Sequence, residues 1–186
     1  MKRLFDIFTS LIFILLFFPL YLLIFFIIWF KDGMPVIHWS KRVGRKRKFF
    51  FMPKFRTMSF NSPDVATHLL KNFEDYITPN GKFLRKSSLD ELPQIWSVLL
   101  GEMSIVGPRP ALHNQDELTE LREKNYILEF KPGITGWAQI NGRDNVSISK
   151  KVELDKYYCL NWSIYLDIKI ILLTVYKTLK KDDISH

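Results

Sequence analysis

The chain has 186 residues, which is enough for one compact domain with an accessory segment. Its net charge of +8 and its pI near 9.5 favour acidic partners such as phosphates or anionic lipid. A single cysteine, Cys159, excludes an intrachain disulfide framework and suits a reducing compartment, and the four scattered histidines form no zinc-binding pattern.

The first predicted element is an apolar helix over residues 11–30, with Pro19 near its middle. Twenty apolar residues are enough to span a bilayer, and the run is too long for a cleaved signal peptide. Pro19 gives such a helix a place to turn. Basic residues, which prefer the cytosolic side, flank both of its ends: Lys2, Arg3, Lys31 and the run at residues 41–48. The pattern therefore leaves two topologies open, a re-entrant helix and a spanning one.

Beyond residue 31 the pattern predicts one mixed α and β domain without repeats. Residues 49–56 form a short apolar run that meets cations, which predicts a strand ending at a site. Residues 94–100 are predicted to be helical, because Pro93 suits a first helical position and Gly101 suits the position after a helix. Further predictions are helices at residues 63–76 and 114–130, a type II turn at Pro132-Gly133 and a tight hairpin turn at Asn141-Gly142.

The last predicted element is an amphipathic helix over residues 162–179, which is too polar to span a bilayer. Such a helix could lie in the membrane interface, with Trp162, Tyr165 and Tyr176 at the depth of the headgroups. An ordinary core helix is the alternative, and the apolar N-terminal segment favours the interfacial interpretation.

Two adjacent carboxylates, Asp90 and Glu91, are the first candidate for chemistry, in the segment RKSSLDELPQ. One interpretation is a capping box formed by Ser88 and Glu91, and another is a solvated surface cluster with the neighbouring bases. A helix that starts at Pro93 instead leaves both acids free, in the positive field of the helix N-terminus, which favours bound phosphate.

Rigidly presented cations are the second candidate. Prolines on both sides of Arg109 restrict its backbone in GPRP, as a bidentate phosphate contact requires, although a structural turn with a solvated Arg fits the same pattern. Two predicted turns bracket Trp137 and end at Arg143. Common nucleotide motifs are missing from the sequence: it has no GxGxxG after a strand, no GxxxxGK[ST] and no Asp-x-Asp.

These segments together resemble the bacterial sugar transferase family, the monotopic phosphoglycosyl transferases. The resemblance extends over nearly the whole chain in consistent order and spacing. It is carried by KRLFD, the apolar segment with its proline, KFRTMS, SLDELPQ, GEMSIVGPRP, KPGITGWAQINGR, ELDKYY and LDIKI. One departure concerns Phe18, which stands before Pro19 where the family often has a serine that helps to stabilise a bend.

The resemblance implies transfer of a phosphosugar from a UDP-sugar to undecaprenyl phosphate, giving polyprenyl-diphosphate-sugar and UMP. Asp90 matches the family nucleophile, and Glu91 matches its partner that holds Mg²⁺, so both are expected at the metal. The predicted substrate-binding residues are Lys54, Arg56, Arg85, Arg109, Arg143 and Asp155.

For the fold, the resemblance implies a re-entrant membrane helix over residues 1–32 and a small, mostly helical catalytic domain over residues 33–186, with interfacial amphipathic helices. The expected location is the cytosolic face of the bacterial inner membrane, in contact with phospholipid. A non-catalytic, membrane-tethered module that docks on anionic lipid through residues 41–48 is the alternative. The aromatic neighbours of that basic run can anchor lipid, so no nucleic-acid partner is expected, and the sequence indicates no oligomeric state.

Overall fold

The computed structural model of the chain describes residues 1–59, 62, 73–142 and 146–180. It confirms the mixed class of helices and short strands. The elements are α1 (Lys2–Asp32), β1 (Ile37–Val43), β2 (Phe49–Phe55), α2 (Pro79–Lys86), α3 (Gln94–Leu100), β3 (Ser104–Val106), α4 (Asp116–Lys124), β4 (Gly133–Thr135), α5 (Trp137–Ile140), α6 (Ile148–Leu160) and α7 (Ile164–Lys180).

Helix α1 is long and apolar enough to cross a membrane, by length and composition. The helix continues through Pro19. The proline, which the sequence offered as a place to turn, therefore does not end the helix. One proline removes a single backbone donor, and a helix can accommodate that loss when its other bonds are kept. Gly33 ends the helix with φ of 75° and donates its backbone N–H to Trp29.

Both halves of α1 pack against the rest of the chain. Phe13 and Ile14 lie against the central core, while Ile24 and Ile28 are buried in a second cluster with Phe55. The rest of the apolar surface of α1 faces outward, and Leu15 is 79% exposed. A surface of this kind suits lipid rather than water.

Two small sheets support the rest of the domain. Strands β1 and β2 form an antiparallel hairpin in which Ile37 pairs with Phe55, so the predicted strand at residues 49–56 is confirmed. Strands β3 and β4 pair in parallel, with Ser104 opposite Gly133. This second sheet joins the loop after β3 to the segment that begins at residue 131.

Of three predictions around the second sheet, one is confirmed in part and two are wrong. The helix predicted at residues 114–130 is confirmed as α4, but it ends at Lys124, and Tyr126 beyond it adopts a left-handed φ of 58°. Pro132-Gly133 does not form a type II turn: Gly133 begins β4 and lacks the positive φ that this turn requires. Asn141 ends helix α5 rather than forming a hairpin turn, since the preceding residues pair along a helix and not across two strands.

Two further helix predictions have different outcomes. The predicted helix at residues 63–76 falls mostly outside the described residues, and its last four, Phe73–Tyr76, form a 3-10 turn. The C-terminal helix is confirmed as α7, which buries Leu166 and Ile170 in the core and leaves Tyr165 and Leu172 exposed. Helix α7 therefore has one buried face and one exposed face, which fits both an interfacial helix and an ordinary core helix.

Candidate active site

Asp90 and Glu91 lie in a 3-10 turn, Leu89–Glu91, that leads directly into α3. Ser88 precedes the turn in a left-handed conformation and makes no side-chain cap, so the capping box is not formed. Helix α3 begins one residue after Pro93, as the proline predicted. Neither carboxylate therefore caps a helix.

The Glu91 carboxylate is held between two cations. Its Oε1 accepts a hydrogen bond from Lys54 Nζ at 2.7 Å and another from Arg109 Nη2 at 3.0 Å. Lys54 Nζ also lies 4.0 Å from Asp90 Oδ2. The side chain of Asp90 is 11% exposed, so its carboxylate combines access to a ligand with a largely dry environment.

The two acids have opposite pKa shifts. Burial raises the pKa of Asp90, and the charge of Glu91 adds to this effect against the attraction of Lys54. Burial also acts to raise the pKa of Glu91, but Arg109 and Lys54 outweigh it and hold that pKa well below its ordinary value. Glu91 is thus a fixed negative charge, whereas Asp90 is the less stabilised and more basic carboxylate.

Separate elements bring the cations to this turn. Lys54 comes from β2, and Arg85 comes from α2, where its Nε donates to Thr57 Oγ1 at 2.8 Å. The pKa of Arg85 is lowered by burial, against the charges of both acids. Helix α2 approaches the segment after β2 closely because Gly81 has no side chain, and a Cβ there would collide with the backbone of Thr57.

The backbone of Arg109 is hydrogen-bonded to one member of a buried ion pair. Arg122 donates through Nη1 to the carbonyl of Arg109 at 2.7 Å, and through Nε and Nη2 to Asp155 Oδ2 at 3.0 and 2.6 Å. The side chains of Arg122 and Asp155 are 5% and 2% exposed. The backbone at Gly107, two residues before Arg109, also packs closely beside β4, because a Cβ on Gly107 would collide with the backbone at Gly133.

Comparison with known proteins decides the family. The family model described as bacterial sugar transferase matches residues 1–181. The chain belongs to the bacterial sugar transferase family. It is 45% identical to the uncharacterized sugar transferase EpsL of Bacillus subtilis over 188 residues, which cover 100% of this chain and 91% of that relative.

Two other relatives of this bacterial sugar transferase are longer proteins. The undecaprenyl-phosphate galactose phosphotransferase of Salmonella typhimurium is 39% identical over 98% of this chain. The UDP-glucose:undecaprenyl-phosphate glucose-1-phosphate transferase of Klebsiella pneumoniae is 42% identical over 95% of this chain. The transferase chain spans 41% and 39% of the lengths of these two relatives.

In this sugar transferase, five predicted site residues come together: Asp90, Glu91, Lys54, Arg85 and Arg109. The structure places two others elsewhere. Arg56 is buried and donates to the carbonyls of Asp32 and Gly33, at the end of α1. Asp155 forms the buried ion pair with Arg122. Arg143 lies outside the described residues.

Arg122 is the residue of this region that sequence reasoning missed. It lies in the charged segment DELTELREK, where a cation suggests only a solvated surface. A signal was present, because Arg122 follows the buried Leu118 by four residues and so shares its helix face.

The donor set around Asp90 and Glu91 fits Mg²⁺ in part. Within residues 1–59, 62, 73–142 and 146–180 no three acidic, histidine or cysteine side chains form a metal site by themselves. Mg²⁺ is commonly held by one or two carboxylates together with substrate phosphates and water. Two adjacent carboxylates beside Lys54 and Arg109 are such a pair, and Mg²⁺ at these residues stays a prediction.

Proposed function

We propose that this sugar transferase moves a phosphosugar from a UDP-sugar to undecaprenyl phosphate through a covalent intermediate on Asp90, as a membrane step that starts a glycoconjugate. The observation that carries the proposal is a nearly buried, weakly stabilised carboxylate beside a second acid that two cations hold in place. The names of the Salmonella and Klebsiella relatives, which specify undecaprenyl phosphate and sugar-phosphate transfer, support it.

In the first step, an Asp90 oxygen attacks the phosphorus that carries the sugar. The bond from that phosphorus to the bridging oxygen breaks, and the electron pair leaves with UMP. In the second step, a phosphate oxygen of the lipid attacks the same phosphorus and displaces Asp90, which forms the diphosphate. Covalent capture lets one site handle a water-soluble donor and then a lipid acceptor.

Charge repulsion is the main obstacle to this attack, because a carboxylate must approach an anionic pyrophosphate. Lys54, Arg85 and Arg109 supply positive charge around Asp90, in a site where burial strengthens each interaction. Glu91 keeps Lys54 and Arg109 in position through its two charge-assisted hydrogen bonds. The more basic character of Asp90 favours its role as the nucleophile.

Asp90 and Glu91 would hold the proposed Mg²⁺ together with the donor's phosphates. When bound, that ion supplies further positive charge to the transferring phosphoryl group. The distribution of roles between the two acids follows from their environments. Glu91 remains ionised over the working pH range and offers a permanent hard oxygen ligand.

The reaction is tested by incubating the full-length protein in nanodiscs with a panel of UDP-sugars and a polyprenyl phosphate. We expect repeated UMP release, beyond one molecule per enzyme, with one or a few of the sugars only when both substrates and Mg²⁺ are present. EDTA should abolish the release, and Glu91→Gln should require more Mg²⁺ for half-maximal rate because one ionised ligand is lost. Full activity after EDTA treatment would exclude the metal, and no UMP release with any sugar would contradict the reaction.

We also propose that α1 re-enters the membrane, with both ends and the catalytic domain on the cytosolic face of the inner membrane. At its first turn, Lys2 Nζ contacts Asp167 Oδ2 at 2.7 Å, and Asp6 Oδ1 accepts from Ser104 Oγ at 2.9 Å. At its other end, the backbone carbonyl of Asp32 accepts a hydrogen bond from Arg56 Nη2. Contacts of both ends with the same domain favour the re-entrant topology, because the two ends of a spanning helix lie on opposite faces of the bilayer.

Topology is tested with two single cysteines in a Cys159→Ser background, one in a short N-terminal extension and one as Met34→Cys. Met34 is 60% exposed, and unlike Gly33 it has no positive φ that a cysteine would strain. A membrane-impermeant maleimide should label neither site in intact cells and both after the inner membrane is opened. Labelling of only the N-terminal site from outside would mean that α1 spans, and the proposed topology would be wrong.

A further inference from the structure

A second cluster of cations lies at the other end of α3 from the reaction site. The guanidinium of Arg3 donates through Nη1 to the Val98 carbonyl at 2.5 Å and through Nη2 to the Leu99 carbonyl at 2.6 Å. A Cβ built on Gly101 would lie 3.2 Å from Arg3 Nη2 and 3.4 Å from Lys131 Nζ. The two cations therefore come close together over one glycine.

Three cations of this cluster face one acid, and that acid is already hydrogen-bonded elsewhere. Arg45 lies beside the same segment, because its Nε donates to the carbonyl of Glu129, two residues before Lys131, at 2.7 Å. The acid that faces Lys131 is Asp6, whose Oδ1 already accepts from Ser104 and Ile105. Burial first, and then repulsion from Arg3 and Arg45, lower the pKa of Lys131. Positive charge thus accumulates here, and no acidic side chain among the described residues forms an ion pair with Lys131.

Capping of α3 does not account for the whole cluster. A helix C-terminus carries only about half a negative charge, and two bonds from Arg3 already satisfy its carbonyls. Arg3 has five N–H donors and Lys131 has three, so donors of both remain for an oxyanion. A phosphate can accept several such bonds at once.

The surroundings of the cluster are apolar and exposed. Leu4 and Phe8 on α1 are 72% and 67% exposed, and Leu100 at the end of α3 is 76% exposed. Exposed apolar side chains beside cations suit a molecule with acyl chains and an anionic head. The reaction site is separated from this cluster by the seven residues of α3, which extend about 10 Å.

We propose that Arg3, Arg45 and Lys131 form a binding site for the phosphate group of a bilayer phospholipid, distinct from the site at Asp90. Arg3 would serve both the α3 carbonyls and the lipid, and Lys131 would contribute the charge that α3 does not use. The proposal rests on the membrane association proposed above but not on the reaction. Phosphatidylglycerol suits the site best among simple lipids, since its headgroup carries a net negative charge.

The test uses the full-length Asp90→Asn protein, so that covalent capture cannot contribute. Native mass spectrometry counts the phosphatidylglycerol molecules bound to protein released from detergent micelles, over a range of lipid concentrations. Lys131→Gln keeps the Arg3 cap intact and should weaken binding about fivefold, the effect of one basic residue at a lipid surface. Lys131→Arg should restore it. Lys124→Gln changes an exposed lysine of α4 that is not part of the cluster, and it should leave binding unchanged.

Two competitors separate the possible sources of the phosphate. Phosphatidylcholine has a phosphate but no net charge, and it should bind more weakly with a smaller loss in Lys131→Gln. A polyprenyl phosphate should not displace phosphatidylglycerol at equal concentration. Displacement that depends on Lys131 would assign the cluster to the acceptor and overturn the proposal. So would equal losses in Lys131→Gln and Lys124→Gln, which would indicate only diffuse attraction.

Discussion

Asp90→Asn should abolish turnover while leaving the protein folded. An amide has the shape of the carboxylate but is a poor nucleophile, so the loss of the covalent step should lower the rate at least about a thousandfold. Burial already disfavours the charge of Asp90, so its removal should not lower the thermal midpoint. The measurements are UMP release and the thermal midpoint of the same preparation.

The covalent intermediate can be measured directly, by comparing the masses of wild-type and Asp90→Asn protein. Wild-type protein incubated with donor alone should gain the mass of one phosphosugar on the peptide that contains SLDELPQ, and Asp90→Asn should gain none. Capture requires ionised Asp90, and burial raises the pKa of that group. Capture should therefore decline at a higher pH than the ordinary aspartate pKa of about 3.9 would predict. Ordinary turnover in folded Asp90→Asn would contradict the mechanism, because it would show that the reaction does not need Asp90 as its nucleophile.

Much of the reaction site follows from the sequence because its geometry is local. Pro93 places the start of α3, and that start leaves Asp90 and Glu91 in one tight turn. What the sequence cannot specify is the partner of each cation. Arg56 and Arg109 look alike in the sequence, but one caps the end of α1 and the other contacts Glu91. The difference depends on which elements meet in three dimensions.

The second sheet shows why the type II turn predicted from two residues was wrong. Pro132-Gly133 has the composition of a type II turn, yet Gly133 is required for a different reason. Its missing side chain lets β4 approach Gly107, and the pairing of β3 with β4 keeps Gly133 extended. Contacts between residues distant in sequence override a two-residue preference, because several backbone hydrogen bonds outweigh one turn propensity.

The buried pair of Arg122 and Asp155 should matter both for stability and for the position of Arg109. In Asp155→Leu, the Arg122 charge would stay buried without its carboxylate, which typically costs about 3–5 kcal/mol. For a domain of this size, such a loss lowers the thermal midpoint by at least about 6 °C. Glu153→Gln on the same helix removes one partner of the exposed Lys150 pair and should cost at most about 1 kcal/mol.

A double variant separates the two roles of this pair. Arg122→Met with Asp155→Leu leaves no buried charge, and apolar replacement of a buried ion pair is often neutral or stabilising, so the thermal midpoint should recover. The Arg109 carbonyl would still lack its 2.7 Å hydrogen bond from Arg122, so its guanidinium would be held less firmly beside Glu91. We therefore expect the double variant to be stable but about tenfold slower in UMP release. Full activity in a stable double variant would show that Arg109 is positioned without the pair, and unchanged stability in Asp155→Leu would show that Arg122 finds another partner.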